Sequence, residues 1–148
     1  MGVAMSNKLT PIKAARKNYR PEIMPASFEA LPFVLRLKRS DKKLHNKWNV
    51  TPTDDYGIAC ASGVEYAAHL AQYLKDNPDM VGSNLLGHIA KDIDFNDTTA
   101  TKGYWIGFFS HLEHLIRLSA RHIDVFADAD KAYAKISKNQ ADVEVSHV

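Results

Sequence analysis

The chain of 148 residues contains one cysteine, Cys60. One cysteine cannot form an internal disulfide, and it cannot supply the several thiolates of a cysteine-based zinc cluster. No apolar run approaches the roughly 18 residues of a membrane span, and the N-terminus lacks the apolar core and cleavage site of a secretory signal. We therefore expect a cytoplasmic protein with no membrane contact, in which Cys60 is a reduced, buried residue.

Glycine is also scarce, and its positions do not form a phosphate-binding loop. The seven glycines match neither the dinucleotide-binding fingerprint nor the P-loop spacing. No nucleophile elbow surrounds Cys60 or Ser110. The sequence thus predicts no cofactor and no catalytic residue, and it favours a binding protein over an enzyme.

Charge is distributed very unequally along the chain. Residues 1–50 contain eleven lysines and arginines against three acids, whereas residues 51–148 contain eight bases against fourteen acids. The first segment therefore carries a formal charge of +8 and the second −6. This asymmetry predicts either a basic arm that binds a polyanion or an arm that lies on the protein's own acidic part.

Two alternating segments predict a β-hairpin. Residues 33–39 place Phe33, Leu35 and Leu37 on one face, and a second period-two run extends from residue 44 to residue 50. A polar turn at residues 40–43 joins them. Before the hairpin, three prolines and scattered apolar residues predict an extended arm over residues 1–25.

The remainder of the sequence predicts helices. Ser62 and Glu65 match a capping box, so we expect the first helix to begin at Ser62 and end near Asp76. We expect a short helix after Ser83 and a central helix from about Thr101 to Ile123. A last helix near residues 128–138 should pack Ala132, Tyr133 and Ile136 against the core.

The predicted fold is α+β, with an extended N-terminal arm and a hairpin packed on three to four helices; an all-α bundle is the alternative. The predicted organisation is a basic arm at 1–25, one globular domain at 26–138 and a flexible tail at 139–148. No internal repeat or low-complexity segment indicates a solenoid.

The basic hairpin is the leading candidate site, because lysines and arginines neutralise phosphates without demanding exact geometry. An exposed Trp48 would add base stacking. We predict that nucleic acid or an acidic protein contacts the following residues: Arg36, Lys38, Arg39, Lys42, Lys43, Lys47 and Trp48. The leading function is therefore a small, non-enzymatic binding or regulatory protein.

The central helix offers a second candidate, a protein interface. Gly103 and Gly107 form a small-residue face that allows close approach of another helix, within the chain or across a homodimer. Trp105 and Phe109 belong to an aromatic cluster too broad to face one direction. The alternative function is thus a protein-interaction module or homodimer that uses the acidic helices and this aromatic surface.

Histidines provide a third, weaker candidate. His69, His88, His111 and His114 lie in predicted helices, and several share a helical face with a carboxylate. A helical metal-dependent enzyme would need them to converge. The spacing matches neither a Glu-x-x-His pair nor the His-Glu-x-x-His motif, so no metal site is predicted.

Overall fold

The computed structural model describes residues 12–13, 16, 27–38, 40, 42–80 and 82–146. The chain divides into two compact units, residues 1–112 and 113–148. The described residues form a two-stranded antiparallel sheet followed by four α-helices. This element order confirms the predicted α+β fold. The predicted domain boundaries at residues 25 and 138 remain predictions.

Most of the predicted arm lies outside the described residues. Its described members are Ile12, Lys13 and Arg16, and their backbone is helical. The extended form predicted for residues 1–25 is therefore not observed at these three positions. Arg16 contacts the first helix, as described below.

The hairpin forms where it was predicted, but its strands are short. β1 is Leu35–Arg36 and β2 is His45–Asn46, and Leu35 lies opposite Asn46. The predicted inner face is buried only at the open end of the hairpin. Leu44, near the turn, is 68% exposed.

The first α-helix, α1, covers Tyr56–Asp76 and begins six residues before the predicted start. Asp55 is its N-cap, and the Asp55 carboxylate accepts a hydrogen bond from the Ile58 N–H at 3.0 Å. The predicted capping box at Ser62 is wrong. Ser62 lies inside the helix and donates its hydroxyl hydrogen bond to the Ile58 carbonyl, four residues earlier.

Three further α-helices follow: α2 is Leu85–Asp92, α3 is Gly103–Ala120 and α4 is Val125–Ser146. Short 3₁₀ segments lie at Phe28–Ala30, Pro78–Met80 and Ala100–Lys102. The predicted centres of these helices are therefore correct, and the ends of α3 differ from the prediction by two or three residues.

The last helix, α4, differs most from its prediction. The Asp124 carboxylate accepts a hydrogen bond from the Ala127 N–H and caps the helix, which then continues to Ser146. Residues 139–146, predicted as part of a tail, are helical. The burial predicted for Ala132, Tyr133 and Ile136 is wrong, because no residue of α4 is buried.

One hydrophobic core holds the hairpin against the helices of residues 1–112. Phe33 and Phe108 are fully buried, and Trp48 packs against both rings with centroids 5.5 and 5.0 Å away. The helical residues of this core are Ala59, Ala67, Leu70, Tyr73, Leu85, Ile89, Tyr104 and Phe108. The core therefore includes side chains from both strands' flanks and from three helices.

Glycines allow α1 and α3 to touch through their backbones. A Cβ atom at Gly63 would lie 2.8 Å from the Phe108 nitrogen and even closer to the Tyr104 carbonyl oxygen. A Cβ at Gly107 would lie 2.9 Å from the Cys60 carbonyl carbon. These neighbours are backbone atoms, which cannot rotate away as a side chain can, so each position requires glycine.

We expect Gly107→Ala to lower the free energy of unfolding by at least about 2 kcal/mol, because the added methyl group must push two helices apart. Gly57→Ala is the matched control: its Cβ would lie 3.6 Å from the Asp55 carboxylate, an ordinary contact, and alanine favours helix by up to about 1 kcal/mol. Urea unfolding of both variants measures the difference. Equal stabilities would contradict the close contact.

Candidate functional site

The basic residues of the predicted binding surface lie on the hairpin. Arg36 is in β1, and Lys38 and Lys42 lie in the segment that joins the strands; all three are exposed. Arg39 lies outside the described residues. The structure therefore leaves Arg36, Lys38 and Lys42 on the surface.

Lys43 and Lys47 are held by the protein's own acidic residue, Asp92, at the end of α2. Lys43 donates to one Asp92 carboxylate oxygen, and the Lys47 backbone N–H donates to the other at 2.7 Å. Burial would raise the pKa of Asp92, but these two hydrogen bonds outweigh it and hold the pKa below its usual value. The Lys47 ammonium also lies 5.8 Å from the centre of the Phe28 ring. Both lysines thus anchor the hairpin to α2.

Trp48 does not have the exposure that base stacking requires. Its side chain is 7% exposed and packs edge-on against Phe108 and Tyr66. Trp48 is therefore a core residue, and the predicted stacking role does not apply. The period-two pattern identified its face correctly, since the same alternation predicted an apolar inner side.

A buried carboxylate on α1 receives the arm. Glu65 is 6% exposed, and Arg16 donates to both of its oxygens, one of them at 2.7 Å. The Arg16 hydrogen bonds lower the pKa of Glu65. His69, one turn along the helix, places its Nε2 3.4 Å from Glu65, and its burial lowers the histidine pKa.

Both ion pairs favour the second explanation for the charge asymmetry, in which the basic segment lies on the protein's own acidic part. Arg16 binds Glu65, and Lys43 binds Asp92, so basic residues of the first 50 positions contact acids of the later sequence. Within the described residues, the arm and hairpin lie at these points on the protein's own acidic side chains. Fewer charges then remain for a polyanion.

The two glycines of the predicted interface face α1 of the same chain. A Cβ at Gly103 would lie 2.8 Å from the Ala59 Cβ, and Gly107 meets Cys60 as described above. The small-residue face of α3 therefore contacts a helix of the same chain, which is the first of the two alternatives that the sequence left open.

Trp105 and Phe109 are partly exposed and share a neighbour that the sequence did not single out. Phe95 lies in the turn before α3, with its ring centre 5.3 Å from Trp105 and 6.0 Å from Phe109. Half of the Phe95 surface is exposed. The aromatic surface predicted on α3 thus exists as a three-ring patch in residues 1–112.

The four candidate metal-binding histidines do not converge with other ligands. His69 is buried beside Glu65 on α1, whereas His88 is exposed on α2. His114 lies beside Arg117 on α3. Among the described residues, no group of three or more histidine, cysteine, aspartate or glutamate side chains is arranged to hold a metal ion.

Many exposed apolar side chains lie in residues 113–148. Phe126 is 81% exposed, Tyr133 68%, and Ile136 and Val143 56% each. The sequence pattern identified Tyr133 and Ile136 as an apolar face of α4, but it could not show that these side chains are exposed. The spacing of three and four residues continues to Val143. Val143 lies outside the predicted face, because residues 139–148 were predicted to be a flexible tail.

Comparison with known proteins gave no relative. No protein-family model matches the chain, and neither a curated protein nor a solved structure matches it. In the described part of the chain, no helix is both long enough and apolar enough to cross a membrane.

We expect stability to fall as the pH decreases from 7 to 5, because burial lowers the pKa of His69 in the folded state. The unfolded histidine takes up a proton near its ordinary pKa of about 6.5, and the folded one resists it, so protons favour unfolding. The Glu65 contribution, which has the usual sign for a lowered carboxyl pKa, disappears only below about pH 4.5.

Urea unfolding at several pH values measures how the free energy of unfolding depends on pH. We expect His69→Gln to flatten the slope of stability against pH between 7 and 5, while the exposed His88→Gln control keeps the wild-type slope. If His69→Gln leaves the slope unchanged, the buried position of His69 does not control this pH dependence.

Proposed function

We propose that this chain is a non-enzymatic protein-interaction module that binds a protein partner through the apolar face of α4. One observation carries the proposal: a 22-residue helix has no buried residue, yet it presents Phe126, Tyr133, Ile136 and Val143 to solvent. Monomeric soluble proteins rarely expose contiguous apolar patches of this kind unless a partner covers them.

The energetics of the helix also support a partner. Most helices in proteins obtain their stability from packing an apolar face and not from intrinsic helix propensity. The face of α4 contains Phe126 and Tyr133, and aromatic side chains are enriched in protein interfaces. Covering it would remove about 25 cal/mol of unfavourable hydration for each Å² of apolar surface.

The use of charge within the chain and the predicted cellular location are compatible with this function. The two buried carboxylates, Glu65 and Asp92, are each held by a base and act as structural anchors. We place the protein in the cytoplasm, in keeping with its single cysteine, Cys60.

A photoreactive benzoylphenylalanine in place of Tyr133 tests the interaction in cells. We expect irradiation to link the chain to a protein and give a discrete band of higher mass. The same residue in place of Lys131, on the opposite side of α4, is the control and should give little product. Absence of any protein adduct at position 133 would refute the proposed interaction.

Polyanion binding remains a second candidate, supported by the exposure of Arg36, Lys38 and Lys42 on the hairpin. If these residues contact phosphates, the double variant Arg36→Glu and Lys42→Glu should weaken oligonucleotide binding. It should also reduce the slope of log affinity against log salt by about 0.9 for each lost contact.

Fluorescence anisotropy with single- and double-stranded oligonucleotides, across a salt titration, measures both effects. Lys131→Glu, an exposed lysine of α4, is the control for a general change in net charge. Salt-sensitive binding that persists unchanged in the hairpin variant would rule out the hairpin as the binding surface.

A further inference from the structure

The exposed face of α4 follows a heptad pattern. Successive members of the face are separated by three, four, three, four and three residues, which is the spacing of the a and d positions of a coiled coil. The face consists of Ala129, which is half-buried, and of the exposed residues Phe126, Tyr133, Ile136, Gln140 and Val143. The stripe spans about 27 Å of helix, and a narrow seam of this kind fits another helix better than a broad core.

One member of the seam is polar, and its position indicates the chemistry of the partner. Gln140 occupies an a position between Ile136 and Val143 and is exposed in the single chain. In a parallel pair of identical helices, the two Gln140 amides would meet and hydrogen-bond to each other. A partner with an apolar residue at this level would leave the amide buried without a hydrogen bond, which is costly.

The charged residues beside the seam also favour a parallel pair of identical helices. The e positions are Asp130, Ser137 and Glu144, and the g positions are Ala132, Asn139 and Ser146. A parallel pair of identical helices would place each e residue near a g residue, so the two acids meet neutral side chains. An antiparallel pair would place Asp130 of one copy near Glu144 of the other, twice, and like charges at these positions disfavour pairing.

The overall charge of this unit does not oppose self-association. Residues 113–148 contain five lysines and arginines and six acids, so two copies repel each other only weakly. Repulsion between the acids beside the seam therefore depends on the orientation of the two helices. The parallel orientation keeps Asp130 of one copy away from Glu144 of the other.

We propose that the partner of α4 is a second copy of this chain, and that the two α4 helices form a short parallel coiled coil with Gln140 paired across its axis. This inference rests on the proposed function, because it names the partner of the same surface. The seam is about three heptads long, so the dimer is of the weak, reversible class.

Sedimentation of the full chain, from about 1 μM to about 1 mM, tests the dimer over the range of weak affinities. We expect a concentration-dependent shift from monomer to dimer. Ile136→Asp should weaken self-association at least about a hundredfold, because each copy loses a buried side chain and the two new charges face each other. Ala134→Asp adds the same charge on the outer side of α4 and should keep the wild-type affinity.

The orientation has its own test. In a Cys60→Ser background, Val143→Cys places one thiol near the end of the seam. Parallel helices bring the two thiols within disulfide reach, whereas antiparallel helices place them about 25 Å apart. We expect mild oxidation to give a covalent dimer; a dimer in sedimentation that forms no disulfide would overturn the parallel arrangement.

The outcomes separate this inference from the proposed function. A chain that stays monomeric throughout the concentration range, but is linked from position 133 to a different protein in cells, refutes the second copy and leaves the interaction module intact. A monomeric chain with no adduct refutes both. Circular dichroism of Ile136→Asp and Ala134→Asp at equal concentration verifies that both variants remain folded.

Discussion

The contact between the backbones of α1 and α3 is the constraint on which the unit of residues 1–112 depends. Gly63 and Gly107 remove the side chains that would separate the helices. Because the helices are so close, Phe108 reaches the rings of Phe33 and Trp48 on the hairpin side. A wider separation would move Phe108 away from both rings, and the hairpin would lose its apolar cover.

Buried acids then attach the peripheral segments to this pair of helices. Asp92 receives Lys43 and the Lys47 backbone, and Glu65 receives Arg16. A buried charge without such a partner is strongly unfavourable, so each acid specifies which segment covers it. The unequal distribution of charge along the sequence therefore has a structural use, and it is not by itself a sign of nucleic-acid binding.

The sequence predicts most of the elements, because their periodicities are local. Alternation located the hairpin and the inward side of Trp48, and helical spacing located α2 and α3. The start of α1 was missed because Gly57 and Gly63 weaken the helical signal, although Gly63 is needed for packing. Such a requirement depends on a neighbour about forty positions away, which no local pattern contains.

The candidate site was harder to predict for the same reason. Spacing shows that Tyr133 and Ile136 share a face, but burial depends on whether another element covers that face. Likewise, Gly103 and Gly107 form a contact surface, and only the fold shows that α1 occupies it. The local sequence also could not show that Lys43 contacts Asp92, which lies 49 positions later in the chain.

The polar contacts of residues 1–112 join very distant parts of the chain. Arg16 and Glu65 are separated by 49 positions, Lys43 and Asp92 by 49, and the Tyr104 hydroxyl donates to the Thr51 carbonyl across 53. Such loops must close before their contacts can stabilise anything, which slows folding. During synthesis, this unit cannot complete its structure until α3 has left the ribosome, whereas the backbone hydrogen bonds of α4 join residues only four positions apart.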